Sequence, residues 1–508
     1  MRLPNPLAAA DRAAGRFRAA LVDPARAERN VILALAAYAL LWTLYGTIAK
    51  SSQGLHYDMT EVIAWSRDLS LGYLKHPPLA AWMVWLWFSV FPVAEWSYYG
   101  LAMLMPTAAL WLAWRLSADY LDIEKRIVGL ALLTLIPFFN FHALKFNVNT
   151  VLMPVWAVTT FWFLRSYRTQ SRVYAALAGV GAAACMLGKY WSVFLLVGLV
   201  VAALIDKRRA VYFRSPAPWI TVAVGLVVLG PHLAWLAQHD FAPFGYAMGI
   251  HGAKPLGATV KAALGYLGGS IGYVAIPVII VLAMARPSRA ALADMIWPAD
   301  PERRLAAAAF WLPFLLPAVG AVASGTEITS LWSMPAWTLL AVLLLSQPSV
   351  TIAAADTRRI LVVAVAVPLV MLIAAPAIAV MVQRGGPAPA AAHARLLADE
   401  IERAWHALTP QPLRYVGGDA EIAYDVAAAA AERPRALPDM RAPSDAELAH
   451  GGMALVCFAD DGGCRSAAAQ RAASVAGSRT IETEIVRNYF RLPGKPRRYT
   501  IVILPPRP

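Results

Sequence analysis

VILALAAYALLWTLYGTIAK (residues 31–50), followed six residues later by YDMTEVIAWSRDLSLGYLKHPPL (57–79), decides how this chain is read. The first stretch carries no charge until Lys50 and is long enough to cross about 30 Å of hydrocarbon. The second holds two acids, Asp58 and Glu61, within one helical turn. A basic pair, Lys75 and His76, stands just ahead of Pro77 and Pro78. Charges clustered beside a membrane span are costly and mark function.

The rest of the chain agrees with a membrane setting. Of its 508 residues 59% are hydrophobic and only 15% charged, where a soluble domain carries about 25%. Apolar runs are expected to span at about 31–50, 98–116, 126–144, 150–166, 173–187, 190–205, 217–236, 263–285, 306–324, 329–346 and 360–382. This predicts a polytopic α-helical membrane protein of about 11 spans. The N-terminal segment 1–30 is polar and Arg-rich, shows no signal-peptide cleavage pattern, and is expected to lie in the cytoplasm, with the first span retained as an anchor.

The net charge of +14 reads as topology, with no nucleic-acid motif beside it. With the N-terminus inside, the cytoplasmic loops hold Lys125 and Arg126; Arg165, Arg168 and Arg172; Lys207 to Arg209 and Arg214; Arg286, Arg289, Arg303 and Arg304; Arg358 and Arg359. The opposite loops hold few cations, such as Lys145, Lys189, Lys254 and Lys261. Segment 51–97, loop 237–262 and the tail then face the periplasm of a bacterial inner membrane.

Within 51–97, Asp58–Leu71 reads as a helix stopped by Gly72, and the Trp-rich LAAWMVWLWFSVF after the prolines is short for a span. Two juxtamembrane helices at 58–93 are expected. From residue 383 the long apolar runs stop. A helix at about 391–408 and strands at 413–419, 454–459 and 499–505 predict a small α/β periplasmic domain over 383–508. Cys185 reads as a buried small apolar residue, and Cys457 and Cys464 can pair in an oxidising compartment.

An acid followed by cations at a bilayer surface is what transfer of a group from an anionic lipid carrier requires. Asp58 with Glu61 fits this, and equally fits a pair of acids capping a helix start. Lys75 and His76 fit a phosphate clamp or interfacial snorkelling. Lys189, in LGKYW, fits a third phosphate ligand or a cation at a helix C-terminus. Asn149 fits a polar site residue or an N-cap. Loop 237–262 offers His239, Asp240, Tyr246 and His251, in a spacing that matches no metal site. Tyr246 and Glu327 are candidates, with Asn149, for binding a sugar or an acceptor. A lone His232 inside a span is expected to bond a neighbouring helix.

The acid pair after the first span, the GYLKHPPL segment, the polar start near Asn149, the GKY turn and the late SLWSMPAW span occur in an order that resembles the GT-C membrane glycosyltransferases. The branch they are most similar to includes bacterial proteins related to the lipid A aminoarabinose transferase and to the protein O-mannosyltransferases. The resemblance covers residues 30–382 and, more loosely, the tail. It implies a GT-C catalytic domain over 31–382 and a sugar taken from a polyprenyl monophosphate. It also implies an envelope acceptor such as lipid A or another glycan, inversion at the anomeric carbon, and no metal or other cofactor. Asp58 then matches the acid that serves as general base or orients the acceptor, and Glu61 its partner. His76 falls where many members have Lys, and Asn149 where many have Asp, so the clamp at 76 becomes pH-dependent and a second carboxylate is missing at 149.

Two other classes remain. A transporter or flippase would place ionisable groups near the bilayer midplane, whereas these charges gather near span ends. A protein O-glycosyltransferase would share the donor and differ in the acceptor.

Overall fold

The computed structural model describes residues 6–252 and 254–506, and the chain divides into two compact units. One comprises Met1–Thr43, Ser70–Ala80 and Tyr99–Leu372; the other comprises Leu44–Leu69, Ala81–Tyr98 and Ile373–Pro508.

The first unit is helical. Among the described residues of the whole chain, five helices are long and apolar enough to cross a membrane: Ala27–Ala49, Ala217–Gln238, Leu256–Ala285, Pro301–Ser324 and Ala354–Gly385. Helices also occupy Glu95–Ser117 and Val148–Thr169, and Arg172–Gly188 and Val193–Ile205 are shorter apolar ones. Large apolar side chains such as Trp219, Leu226 and Val227 stand exposed on Ala217–Gln238, as a lipid-facing surface requires.

Two expected spans are broken by local chemistry. The apolar run 126–144 is helical only to Leu133. Ile136 precedes Pro137 and adopts an extended backbone, which proline imposes on its predecessor. The Asn140 side chain then donates to the Thr134 carbonyl at 2.9 Å and closes a turn. The run 329–346 begins as a 3₁₀ helix, Ser330–Leu339, before turning α-helical at Leu340–Leu345.

At one end of these helices Asp119, Arg165, Arg168, Asp206, Arg208 and Glu302 form one ion-pair network, with Arg165–Asp119 at 2.7 Å, Arg168–Asp119 at 2.8 Å and Arg168–Glu302 at 2.6 Å. Its members come from four segments, and the two that carry its cations belong to loops that the charge pattern puts on one side of the membrane. The helices close-pack through small residues. A Cβ added at Gly179 would lie 2.5 Å from the Thr221 carbonyl and 3.0 Å from the Gly225 nitrogen. Thr221 Oγ1 donates to the Ala175 carbonyl at 2.9 Å across the same seam.

The second unit carries the sheet. Strands β1 (Tyr415–Gly418), β2 (Arg435–Pro438), β3 (Met453–Phe458), β4 (Arg479–Ile485) and β7 (Arg497–Leu504) pair in the order β2-β1-β3-β7-β4, and a two-stranded ribbon joins β5 (Asn488–Tyr489) to β6 (Leu492–Pro493). β1 runs parallel to β2 and β3, while β7 runs antiparallel to β3 and β4. The two-residue period splits the core. Ala454, Val456, Tyr499, Ile501 and Ile503 pack with Leu397, Ile401 and Trp405 of the helix Pro389–His406 and with Ile422 and Val426 of Ala420–Ala429. Met453, Leu455, Cys457, Val502 and Leu504 meet Ala468 and Ala472 of the helix Gly462–Ala473. A disulfide joins Cys457 to Cys464, and Cys185 is buried as a free thiol.

The helix Tyr57–Ser66 belongs to this unit and is fastened to it. The Thr60 hydroxyl donates to Asp425 Oδ1 at 2.6 Å, the Arg67 guanidinium donates to the Ala427 carbonyl, and the rings of Tyr57 and Tyr424 meet edge-on at 5.7 Å.

Gly179→Val is expected to force the seam open and cost about 1–3 kcal/mol, read as a lowered unfolding temperature of the purified protein in detergent. Gly230→Ala, where an added Cβ meets nothing within 4 Å, is the matched control and should not lower it. Equal behaviour of the two variants would refute close packing at Gly179.

Candidate functional site

Lys189 is the centre of a cluster in the first unit. It ends the helix Arg172–Gly188 with extended backbone (φ −166°, ψ 136°), which turns its side chain off the helix before the 3₁₀ turn Tyr190–Ser192. Its ammonium donates to Asn149 Oδ1 at 2.9 Å and lies 4.3 Å from the centre of the Trp332 ring. These two groups are uncharged and orient the ammonium through a hydrogen bond and a ring face.

Asn149 can serve because it is not the cap. Asn147 caps Val148–Thr169, accepting from the Asn149 amide nitrogen at 2.9 Å and the Thr150 nitrogen at 3.3 Å. The side chain of Asn149 is left to reach Lys189.

Trp332 sits in the 3₁₀ helix Ser330–Leu339, which Thr329 caps. The imidazole of His251 meets its edge at 5.2 Å. Two backbone bonds zip the segments together: the Lys254 nitrogen donates to the Gly325 carbonyl at 3.0 Å, and the Glu327 nitrogen donates to the His251 carbonyl at 2.9 Å. Lys254 and Glu327 form an ion pair at 3.8 Å, half exposed on the Glu327 side. Burial, followed by the charge of Lys189 and with further contributions from Lys254 and Lys75, lowers the pKa of His251, against an opposing effect of Glu327. His251 is therefore neutral at neutral pH, and Lys75, Lys189 and Lys254 all project positive charge onto one place.

Lys75 and His76 are half-buried, with Pro77 and Pro78 buried behind them. The turn that carries them is pinned at both ends. The Tyr73 nitrogen donates to the His76 carbonyl at 3.1 Å. Gly72 lies flat against the Trp235 indole, where an added Cβ would come within 2.4 Å of the ring. His232 Nδ1 is 2.6 Å from the Leu71 carbonyl and its Nε2 is 3.0 Å from the Tyr190 hydroxyl. This one imidazole ties the Leu71–Gly72 turn to the residue after Lys189. Tyr246 is half-buried on the helix Ala242–His251, five residues before His251.

Asp58 and Glu61 lie in the second unit. The helix that bears them is capped by His56, whose Nδ1 accepts from the Asp58 nitrogen at 3.1 Å. An Asp58–Glu61 capping box is thereby excluded as the reason for these acids. Asp58 is partly exposed and 3.9 Å from His56 Nδ1, while Glu61 is buried and accepts from the Tyr57 hydroxyl at 3.3 Å.

The structure thus gathers Lys75, Asn149, Lys189 and Glu327 with His251, a candidate of the loop, and with Lys254 and Trp332, to which sequence reasoning gave no site role, while Asn147 caps the helix and His232 bonds across segments as a lone intramembrane histidine is expected to. The spacing of Asn147 before Thr150 was the readable signal for the cap. Trp332 lay within SLWSMPAW but gave no sign of its cation partner.

The sequence and fold have relatives. Residues 75–235 match the family described as dolichyl-phosphate-mannose-protein mannosyltransferase. The chain is 31% identical over 214 residues to the lipopolysaccharide core galacturonosyltransferase RgtB of Rhizobium johnstonii, covering 41% of this chain and 42% of that protein. It is 24% identical over 231 residues to the lipid A galacturonosyltransferase RgtD of the same organism, covering 43% and 48%. The chain therefore spans less than half the length of each curated relative it matches. Among solved structures, ArnT from Cupriavidus metallidurans bound to undecaprenyl phosphate superposes with a TM-score of 0.56 over 93% of this chain and 97% of that one, and the apo form with 0.54 over the same shares. Both are 14% identical, so this likeness is one of fold. Part of the sequence, including the segment of Lys75 and Lys189, is thus similar to that mannosyltransferase family and to two galacturonosyltransferases, and the fold is similar to that of ArnT along nearly the whole chain.

Proposed function

We propose that this chain transfers a sugar from a polyprenyl-monophosphate carrier to a hydroxyl of an envelope lipid or glycan, lipid A or the lipopolysaccharide core, at the periplasmic face of a bacterial inner membrane. The observation that carries this reading is the gathering of Lys75, Lys189 and Lys254 about His251, where their positive charges act together against the single carboxylate of Glu327. A polyprenyl-phosphate sugar is a phosphodiester of one negative charge. Its leaving phosphate develops a second as the glycosidic bond breaks. A site of gathered positive charge favours the transition state over the ground state, which is where binding accelerates chemistry.

The roles follow. Lys75, His76 and Lys189 hold the carrier phosphate and take up its developing charge, so the reaction needs no metal for this task. Asp58 removes the proton from the acceptor hydroxyl as it attacks the anomeric carbon, with Glu61 as its partner, and configuration inverts in one displacement. Asn149 orients Lys189, while Tyr246 and Glu327 stand near the sugar or the acceptor. The named activities of RgtB and RgtD favour a lipopolysaccharide acceptor over a protein one. The alternation of cations along the chain supports about eleven membrane crossings, with the 383–508 sheet region in the periplasm.

Mass spectrometry of envelope lipids from cells with and without the gene is the direct test. A sugar mass lost from a lipid species with the gene supports the reading, and an unchanged lipid profile with a lost protein glycan moves the acceptor to protein. Lys189→Gln is expected to lower kcat/KM by about 10²-fold in a membrane assay with a polyprenyl-phosphate sugar, and full activity would remove Lys189 from the phosphate site.

Asn149→Asp is a sharper probe. It puts a carboxylate within 2.9 Å of the same ammonium and neutralises it. Donor affinity should fall about tenfold with the fold intact, and tighter binding would contradict the charge argument. Asp58→Asn should lower kcat by about 10²–10⁴ while donor binding persists.

A further inference from the structure

The helix carrying Asp58 and Glu61 is bonded through Thr60 to Asp425, on the helix Ala420–Ala429. Thr60 Oγ1 stands 2.6 Å from Asp425 Oδ1 and 2.9 Å from the Tyr57 carbonyl oxygen. Both neighbours call for a donor, and a threonine hydroxyl has one proton. If Asp425 is ionised, that proton serves either the carboxylate or the Tyr57 carbonyl. If Asp425 is protonated, its own hydroxyl donates to Thr60 Oγ1, Thr60 donates to Tyr57, and both distances are satisfied at once.

The surroundings agree. Asp425 is 2% exposed, and its side chain lines a cleft of about 590 Å³ together with Thr60, Glu95, Arg395 and Arg487. Burial pushes its carboxyl up to about 7, against the Thr60 bond, and Glu421 and Asp419 of the same chain segment add to the rise. On β7, Tyr499 feels the charge of Asp425; its hydroxyl is 2.8 Å from His393 Nδ1, and burial, with Arg487, holds His393 down to about 4, so that it is neutral.

We propose that Asp425 is a positioning residue that, in its protonated form, fixes the Tyr57–Ser66 helix through Thr60 and so sets the placement of Asp58 and Glu61. The cleft gives the carboxyl a route to external protons, which makes the hold responsive to pH. Its consequence for catalysis rests on the reading of Asp58 as the base; the hold on the helix does not. The sign is that of a carboxyl raised above its unfolded value. Its contribution is fully present below about pH 4 and is lost as the pH rises through about 7.

The test is hydrogen–deuterium exchange of the 57–66 peptide in the full-length protein in nanodiscs, corrected for intrinsic rates, at about pH 5.5 and about pH 8.5. Wild type should lose about tenfold protection at the higher pH, the loss of one hydrogen bond of this kind. Thr60→Val and Asp425→Ala should be unprotected to that extent at both values. Asp425→Asn, whose amide donates at every pH, should be protected at both. Where transfer is measurable, kcat should follow the same order with donor KM unchanged. Protection that is equal in all four proteins, or lost in Asp425→Asn as in Asp425→Ala, overturns the proposal. Because exchange is read without any sugar donor, the result stands even if the donor proposed above proves wrong.

Discussion

The hold of an amide oxygen and an indole face on the Lys189 ammonium is the interaction on which the lysine cluster depends. Asn149 supplies the oxygen at 2.9 Å and Trp332 the ring at 4.3 Å. Each provision has its own structural precondition. Asn149 reaches Lys189 only because Asn147 has taken the cap. Trp332 reaches it only because a 3₁₀ segment, and not a regular α-turn, begins that stretch. Lys189 points off its helix because the backbone goes extended there, beyond a helix that its neighbour approaches closely at Gly179.

Hydropathy made the long helices legible, since nothing else in a sequence produces charge-free runs of that length. It was blind where an apolar run is not a helix. Residues 134–146 are as apolar as a span, and only Pro137 and Asn140 betray the turns. In the tail, β1, β3 and β7 were legible as short apolar runs. β4 was not, because at the sheet edge its RTIETEI sequence buries only alternate positions, and β2 was not, because its four residues include Arg435 and Pro438.

The candidate site was legible by residue type and not by bonding. In both doubtful cases the cap lay two residues upstream of the polar residue that had been weighed: His56 before Asp58, Asn147 before Asn149. A capping motif says that one of several nearby side chains closes the helix. Which one does so depends on where the first turn begins, and that is decided by packing around it. Once the cap is located, a capping role no longer accounts for Asp58 or Asn149, and other chemistry has to.

The sheet region gains a physical reason from the shortness of the helix that bears the acids. Ten residues make three turns at most, and an isolated helix of that length is marginal in water. Its own sequence supplies a cap and short-range bonds such as that from the Tyr57 hydroxyl to Glu61, and the Tyr98 hydroxyl donates to the Met59 carbonyl. Further hold comes from residues more than 350 positions later: the Asp425 carboxyl on Thr60, the Ala427 carbonyl on Arg67, and the Tyr424 ring on Tyr57. The base proposed for this helix must keep its geometry while an acceptor comes and goes. A helix of this length cannot do that alone, so the rest of the second unit completes it, and the two acids are where they are because a distant segment of the chain folds.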